Sequence, residues 1–162
     1  MATNKGGSEL EVNTFECAIV CSLDKEYGER PDYVQSFWAR GTTETRVKLG
    51  GHDDSFLALV DHGSEINIMS RHVYEKGKWP IDTQHGWVMI SANSGRTQLY
   101  GACPAVSAKI GDVEVEQNFF VCNHGSYPVI LGQPYITASR METKVLDDGS
   151  HYARIRSIDG KK

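Results

Sequence analysis

The stretch that most constrains the fold is Phe56-Leu57-Ala58-Leu59-Val60-Asp61-His62-Gly63-Ser64-Glu65-Ile66-Asn67-Ile68-Met69-Ser70. Five consecutive apolar residues, 56–60, read as a strand covered on both faces. Such a strand needs neighbours, and Asp61 stands where it ends. Gly63, two residues on, lets the backbone turn sharply and approach a ligand closely. A carboxylate delivered to the end of a buried strand suits catalysis better than solubility.

Neighbours for that strand are plentiful. Thr45, Val47 and Leu49 alternate with Arg46 and Lys48, and Gly50-Gly51-His52-Asp53-Asp54 turns the chain back into 56–60, which makes a hairpin. Trp87 to Ile90 and Thr97 to Tyr100 flank the tight turn Ala92-Asn93-Ser94-Gly95-Arg96 as a second hairpin. Val106, Ala108 and Ile110 run in period two to Gly111-Asp112, and Val113 and Val115 continue beyond it as a third. Phe119-Phe120-Val121-Cys122 and Val129-Ile130-Leu131 read as further core strands, and residues 143–146 and 151–155 as a closing hairpin around Asp147-Asp148-Gly149-Ser150. Residues 71–78 have room for a helical turn before Trp79-Pro80. Helix is expected clearly only from Gln133 to about Arg140, with Pro134 in its first turn. The pattern predicts an all-β domain, a small closed barrel with one short C-terminal helix.

Composition bounds the rest. A chain of 162 residues, 40% hydrophobic, supports one domain with a real core, placed at 43–162 behind an N-terminal extension at 1–42. The first seven residues have the composition of a disordered leader. Residues 15–23 fit a strand or a helical turn equally, and the aromatics within 33–38 are expected to dock on the core. A net charge of -4 and a pI near 5.8 argue against a protein built to grip phosphate backbones. Residues 1–10 are polar, unlike a secretory signal, and no apolar run has the length a membrane span needs. The four cysteines, at 17, 21, 103 and 122, are therefore read as reduced thiols of a soluble cytoplasmic protein, with Cys17 and Cys21 as small buried hydrophobes.

The motifs resemble those of retropepsins. Leu59-Val60-Asp61-His62-Gly63-Ser64 is similar to their Asp-Thr/Ser-Gly-Ala/Ser active-site loop, and Val129-Ile130-Leu131-Gly132-Gln133-Pro134-Tyr135-Ile136 to their Ile-Leu-Gly signature and short helix, with a glycine-bearing hairpin between them. The resemblance covers roughly residues 45–158 and is nearest to the protease segment of gypsy-class LTR retrotransposon polyproteins, fungal ones in particular. It implies a retropepsin-type barrel and an aspartic endopeptidase that uses no cofactor or metal. Aspartic proteolysis needs two carboxylates sharing one proton. The second Asp-x-Gly here, at 147–149, reads as an ordinary turn with no Leu-Gly strand after it. The resemblance therefore implies a symmetric homodimer with one Asp61 from each copy. It also assigns Gly63 and Glu65 to the substrate main chain, Asn93, Ser94 and Gly95 to a flap over the peptide, and Leu131 and Gly132 to support behind the loop. The partners implied are a second copy and a peptide or polyprotein, with a virus-like particle as one setting, and neither membrane nor nucleic acid.

One residue departs from the pattern. His62 stands where retropepsins carry the hydroxyl that bonds across the dimer axis, and an imidazole is larger and lacks that compact donor and acceptor. A cationic imidazole near the dyad would also push both carboxylates toward ionisation, against the one-proton state. The rival reading is accordingly a catalytically silent retropepsin-like fold serving dimerisation or peptide binding. Metal binding by His52, Asp53, Asp54, Asp61 and His62 finds no ligand spacing to support it, and the chain carries no phosphate-cradling loop or nucleophile elbow. Asn123-His124-Gly125-Ser126 repeats His-Gly-Ser after an apolar strand. An internal pseudo-twofold and chance account for it equally well.

Overall fold

The computed structural model describes residues 8–12, 14–15, 42–147 and 151–160. In chain order the strands are β1 (Ser8–Val12), β2 (Thr14–Phe15), β3 (Thr42–Leu49), β4 (Ser55–Val60), β5 (Ile68–Ser70), β6 (Val88–Ile90), β7 (Arg96–Gln98), β8 (Gly101–Ile110), β9 (Val113–Cys122), β10 (Val129–Leu131), β11 (Glu142–Val145) and β12 (His151–Ile155). Two helices accompany them, α1 (Arg71–Gly77) and α2 (Gln133–Ala138). No helix of the described residues is long and apolar enough to cross a membrane.

The hairpin of β3 and β4 forms as the alternation predicts, with Val47 opposite Phe56 and Thr45 opposite Ala58. β4 lies parallel to β10, β10 antiparallel to β5, β5 parallel to β9, and β9 antiparallel to β8. β8 returns to β3 through Lys48 opposite Lys109 and Leu49 opposite Ala108, which closes a six-stranded barrel. Closure leaves these strands without a free edge. β6 and β7 form the separate two-stranded hairpin, and β1, β12 and β11 form a second sheet in that order.

The barrel interior is filled from alternate positions. Val113, Val115, Phe119 and Val121 of β9 face Val47, Leu49, Ala58, Val106, Ala108, Val129 and Leu131 in one cluster, to which β12 adds Ile155. Full burial of each larger apolar side chain stabilises by about 1.5–3 kcal/mol. β9 runs unbroken for 10 residues, where the sequence suggests two strands, and β8 absorbs the irregularity as a bulge between Cys103 and Val106. Pro104, which has no N–H to offer a ladder, sits inside that bulge, and Ala105 turns to a φ of 55° beside it.

The expected C-terminal helix forms as α2, and the helical turn for which residues 71–78 have room forms as α1. Ser70 caps it through a side chain that accepts from Val73 N–H, Val73 buries its inner face, and Lys78 ends it with a φ of 49° before Trp79-Pro80. The cap residue is also the last residue of β5, which hides the helix start from a pattern that asks for a loop between elements. Two pieces of the expected extension take part in sheets: β1 pairs with β12, Ser8 opposite Ile155, and β2 with β3, Thr14 opposite Thr43. The leader at 1–7, residues 16–23 with Cys17 and Cys21, and the aromatics at 33–38 lie outside the described residues. So do residues 148–150 of the second Asp-x-Gly, while Asp147 stands in a turn after β11.

Candidate active site

Asp61 ends β4 half-buried, and the next strand over holds it there. Its N–H donates to the Leu131 carbonyl of β10 at 3.0 Å, continuing the parallel ladder by one bond. The chain then folds back on the carboxylate: Gly63 N–H donates to Asp61 Oδ1 at 2.8 Å and Ser64 N–H to the Asp61 carbonyl at 3.2 Å. A Cβ on Gly63 would lie 3.3 Å from Oδ1, so the bare glycine is what lets this turn close tightly. Ser64 spends its hydroxyl within the loop, donating to the Ile66 carbonyl at 2.8 Å. The backbone therefore aims one oxygen of Asp61 into the loop.

Gly132 and the start of α2 pack against the back of the loop. Gly132 is buried, and a Cβ there would meet the carbonyl oxygens of Ile66 at 2.3 Å and Ser64 at 2.7 Å. Only glycine fits between α2 and the loop. Gln133 at the start of α2 adds two bonds, its N–H to the Ser64 carbonyl at 2.9 Å and its Nε2 to the His62 carbonyl at 2.7 Å. The His62 backbone is thus tied to α2 while its residue remains exposed, as does Glu65.

The residue that unites these parts is Asn67, to which the sequence reading gives no role. It is 1% exposed and spends its whole amide: Oδ1 accepts from Gly132 N–H at 2.9 Å, and Nδ2 donates to Gln117 Oε1 at 3.0 Å and to the Asn118 carbonyl at 3.2 Å. Its carbonyl accepts from Phe120 N–H at 2.9 Å. One buried amide therefore joins the loop, the start of α2 and β9. The signal in the sequence was a lone polar residue between Ile66 and Ile68. Glu44 is a second buried polar residue that went unnoticed, and it accepts from the Tyr127 hydroxyl.

Asn93, Ser94 and Gly95 come together at the tip of the β6–β7 hairpin, all exposed. Their bonds are internal to the tip: Ser91 N–H to the Gly95 carbonyl at 2.9 Å, Ser94 N–H to the Ser91 carbonyl at 2.8 Å, and Gly95 N–H to Asn93 Oδ1 at 3.1 Å. The left-handed residue is Ser94, at a φ of 66°, and not Gly95, whose Cβ would instead meet Ser91 Oγ at 2.8 Å. At the hairpin's base Trp87 stands edge-on to Phe120 at 5.2 Å. Asp82, before it, accepts from Gln84 N–H at 2.9 Å and contacts His85, and these hold its carboxyl below the usual range, the Gln84 bond first.

Among the described residues no three His, Cys, Asp or Glu side chains are grouped to hold a metal. His52 stands edge-on to Trp79 at 5.8 Å, and Asp54 faces Lys76 at 3.7 Å. The loop at 123–128 follows β9 and leads into β10 and α2, just as 61–67 follows β4 and leads into β5 and α1. With β4 parallel to β10 and β9 parallel to β5, the two loops are topological counterparts, each at the end of one crossed strand pair.

No known family's sequence profile matches the chain, and no curated protein matches it. Solved structures do. The retroviral protease-like domain of Ddi1 from Leishmania major superposes with a TM-score of 0.52 at 14% identity, over 68% of this chain and 91% of that one. A retropepsin-like aspartic protease from Rickettsia conorii gives 0.50 at 12% identity, over 71% of this chain and 83% of that one. The fold is the retropepsin-like barrel. At these identities the likeness is one of fold.

Proposed function

We propose that the chain is an aspartic endopeptidase of the retropepsin type, a symmetric homodimer in which each copy supplies one Asp61, and that it processes a polyprotein like those of gypsy-class LTR retrotransposons. The observation that carries this reading is a half-buried Asp61 at a strand end, its backbone N–H donating to the Leu131 carbonyl and its carboxylate accepting from the Gly63 N–H. Two such groups sharing one proton divide the labour, one activating water and the other donating to the scissile carbonyl. One copy brings one of them. β11 supports the second copy: among the described residues it is the edge of its sheet, exposed along its whole length, with Val145 62% exposed and Leu146 just beyond it 40% exposed. Two β11 strands pairing antiparallel about Thr143 would set Glu142 of each copy opposite Lys144 of the other.

In this dimer Gly63 and Glu65 hold the peptide main chain, and the tip at Asn93, Ser94 and Gly95 closes over it as a flap. Leu131 and Gly132 keep the loop in register from behind. The setting is the cytoplasm or a virus-like particle within it, consistent with the buried free thiols of Cys103 and Cys122.

His62 favours a second reading, a silent fold that dimerises or binds peptides, because an exposed imidazole stands beside Asp61 where a hydroxyl is expected. Cleavage of a peptide library at mildly acid pH separates the two. Wild type should cleave, Asp61→Asn should lose roughly a thousandfold or more, and His62→Thr should dimerise more tightly and cleave faster. Equal cleavage by wild type and Asp61→Asn would reject the protease, and a wild type that binds library peptides without cutting them would establish the module.

A further inference from the structure

A cavity of about 430 Å³ opens beside the Asp61 loop, within the size range of small-molecule and side-chain pockets. Ile66, Phe120 and Pro134 give it apolar wall, and Asn67, Gln117, Asn118 and Glu116 give it polar lining. Glu116 is the one charged residue there, and its carboxylate takes no ion pair or hydrogen bond among the described residues. The amides are unequally spent. Gln117 uses both ends of its side chain, Oε1 on Asn67 and Nε2 on the Glu116 carbonyl at 2.8 Å. Asn118 uses only its oxygen, which accepts from Ala105 N–H at 3.0 Å, so its two amide hydrogens remain for an acceptor.

An unpaired carboxylate, an apolar wall and a free amide donor define a complementary ligand: a cation on an alkyl stem, attached to a carbonyl. That is a lysine or arginine residue within a peptide. We propose that this cavity takes a basic side chain of the bound peptide, with Glu116 as its counter-charge and Asn118 Nδ2 donating to a main-chain carbonyl, an assignment that rests on the peptide-binding reading above. Asn67 gives the cavity its connection to the Asp61 loop, since the same amide lines it and holds Gly132. Specificity for a basic residue thus enters through β9, away from the dyad itself.

The test is titration of the 15N-labelled protein with N-acetyl-arginine amide, using N-acetyl-norleucine amide as the uncharged control. Saturable shifts of the Asn67, Gln117 and Asn118 side-chain amides are expected with the arginine derivative, with affinity reduced at least tenfold in Glu116→Gln. Absent shifts, equal shifts from the norleucine derivative, or unchanged affinity in Glu116→Gln would each overturn the site. Binding is read without catalysis, so the two readings fail separately. A wild type that shows these shifts but cuts no peptide counts against the protease alone, and one that cuts peptides without these shifts counts against the cavity alone.

Discussion

At the scale of single residues the Asp61 loop depends on an amide that lies behind it. Asn67 satisfies the Gly132 N–H, the Asn118 carbonyl and Gln117 Oε1 from one buried position. Asn67→Ala strands the buried Gly132 N–H and removes the part-buried bonds to Gln117 and Asn118, and the expected cost is about 3 kcal/mol. A urea midpoint lowered at unchanged slope would register it, and a loss below about 1 kcal/mol would show that the amide is not the joint described. Cys103 illustrates burial acting on chemistry: the residue is fully buried and its thiol is pushed up to about 11, so it holds little thiolate at mildly alkaline pH. Iodoacetamide at pH 8 should leave Cys103 unmodified in the native protein and alkylate it after urea unfolding, as peptide mapping would show. Native labelling at a rate matching the unfolded chain would contradict the packing around β8.

At the scale of elements, the approach to the β6–β7 hairpin is held by a surface clasp. The Asp82 carboxylate accepts from Gln84 N–H and contacts His85, while its backbone bridges to Ala102 of β8 in both directions, at 2.8 and 2.9 Å. A carboxyl held below its ordinary value favours the folded clasp while ionised. Its contribution is therefore fully present at neutral pH, begins to fall as pH drops through the ordinary aspartate value, and is gone below the lowered one. Hydrogen exchange should show residues 84–87 more protected in wild type than in Asp82→Asn at neutral pH, the two converging as pH falls below the ordinary aspartate value, with the barrel strands unchanged. Identical protection in both proteins would assign the order of this segment to Trp87 on Phe120 instead. α1 and α2 teach a related lesson. Each begins directly at a strand or loop end, capped by Ser70 in one case and preceded by Gly132 in the other, so neither shows the polar linker that usually announces a helix.

At the scale of the whole molecule, closure of the barrel consumes the edges of β3, β4, β5, β8, β9 and β10, while among the described residues β11 stays at the edge of its own sheet. Exposed apolar groups stand at Val145 on that strand, at Leu146 just after it, and at Ile158 after β12. In the homodimer proposed above, Thr143→Pro removes a ladder donor from the pairing strand and should weaken association at least tenfold in sedimentation equilibrium. Any peptide cleavage should then rise with the square of protein concentration in the dilute range. A variant that stays as dimeric as wild type would move the interface away from β11.

The sequence by itself determined the hairpins, the all-β class and the placement of Asp61, because each follows from local alternation, glycine-bearing turns and an apolar run ending in an acid. Only the tertiary structure decided that β10 passes between β4 and β5, that β8 closes onto β3, and that Asn67 and Gln117 meet from 50 positions apart. These pairings join segments distant along the chain, and nothing in the spacing of either partner encodes the other. The buried amide that holds the Asp61 loop looked, in the sequence, like a polar interruption between two isoleucines; its partners exist only once the barrel has closed.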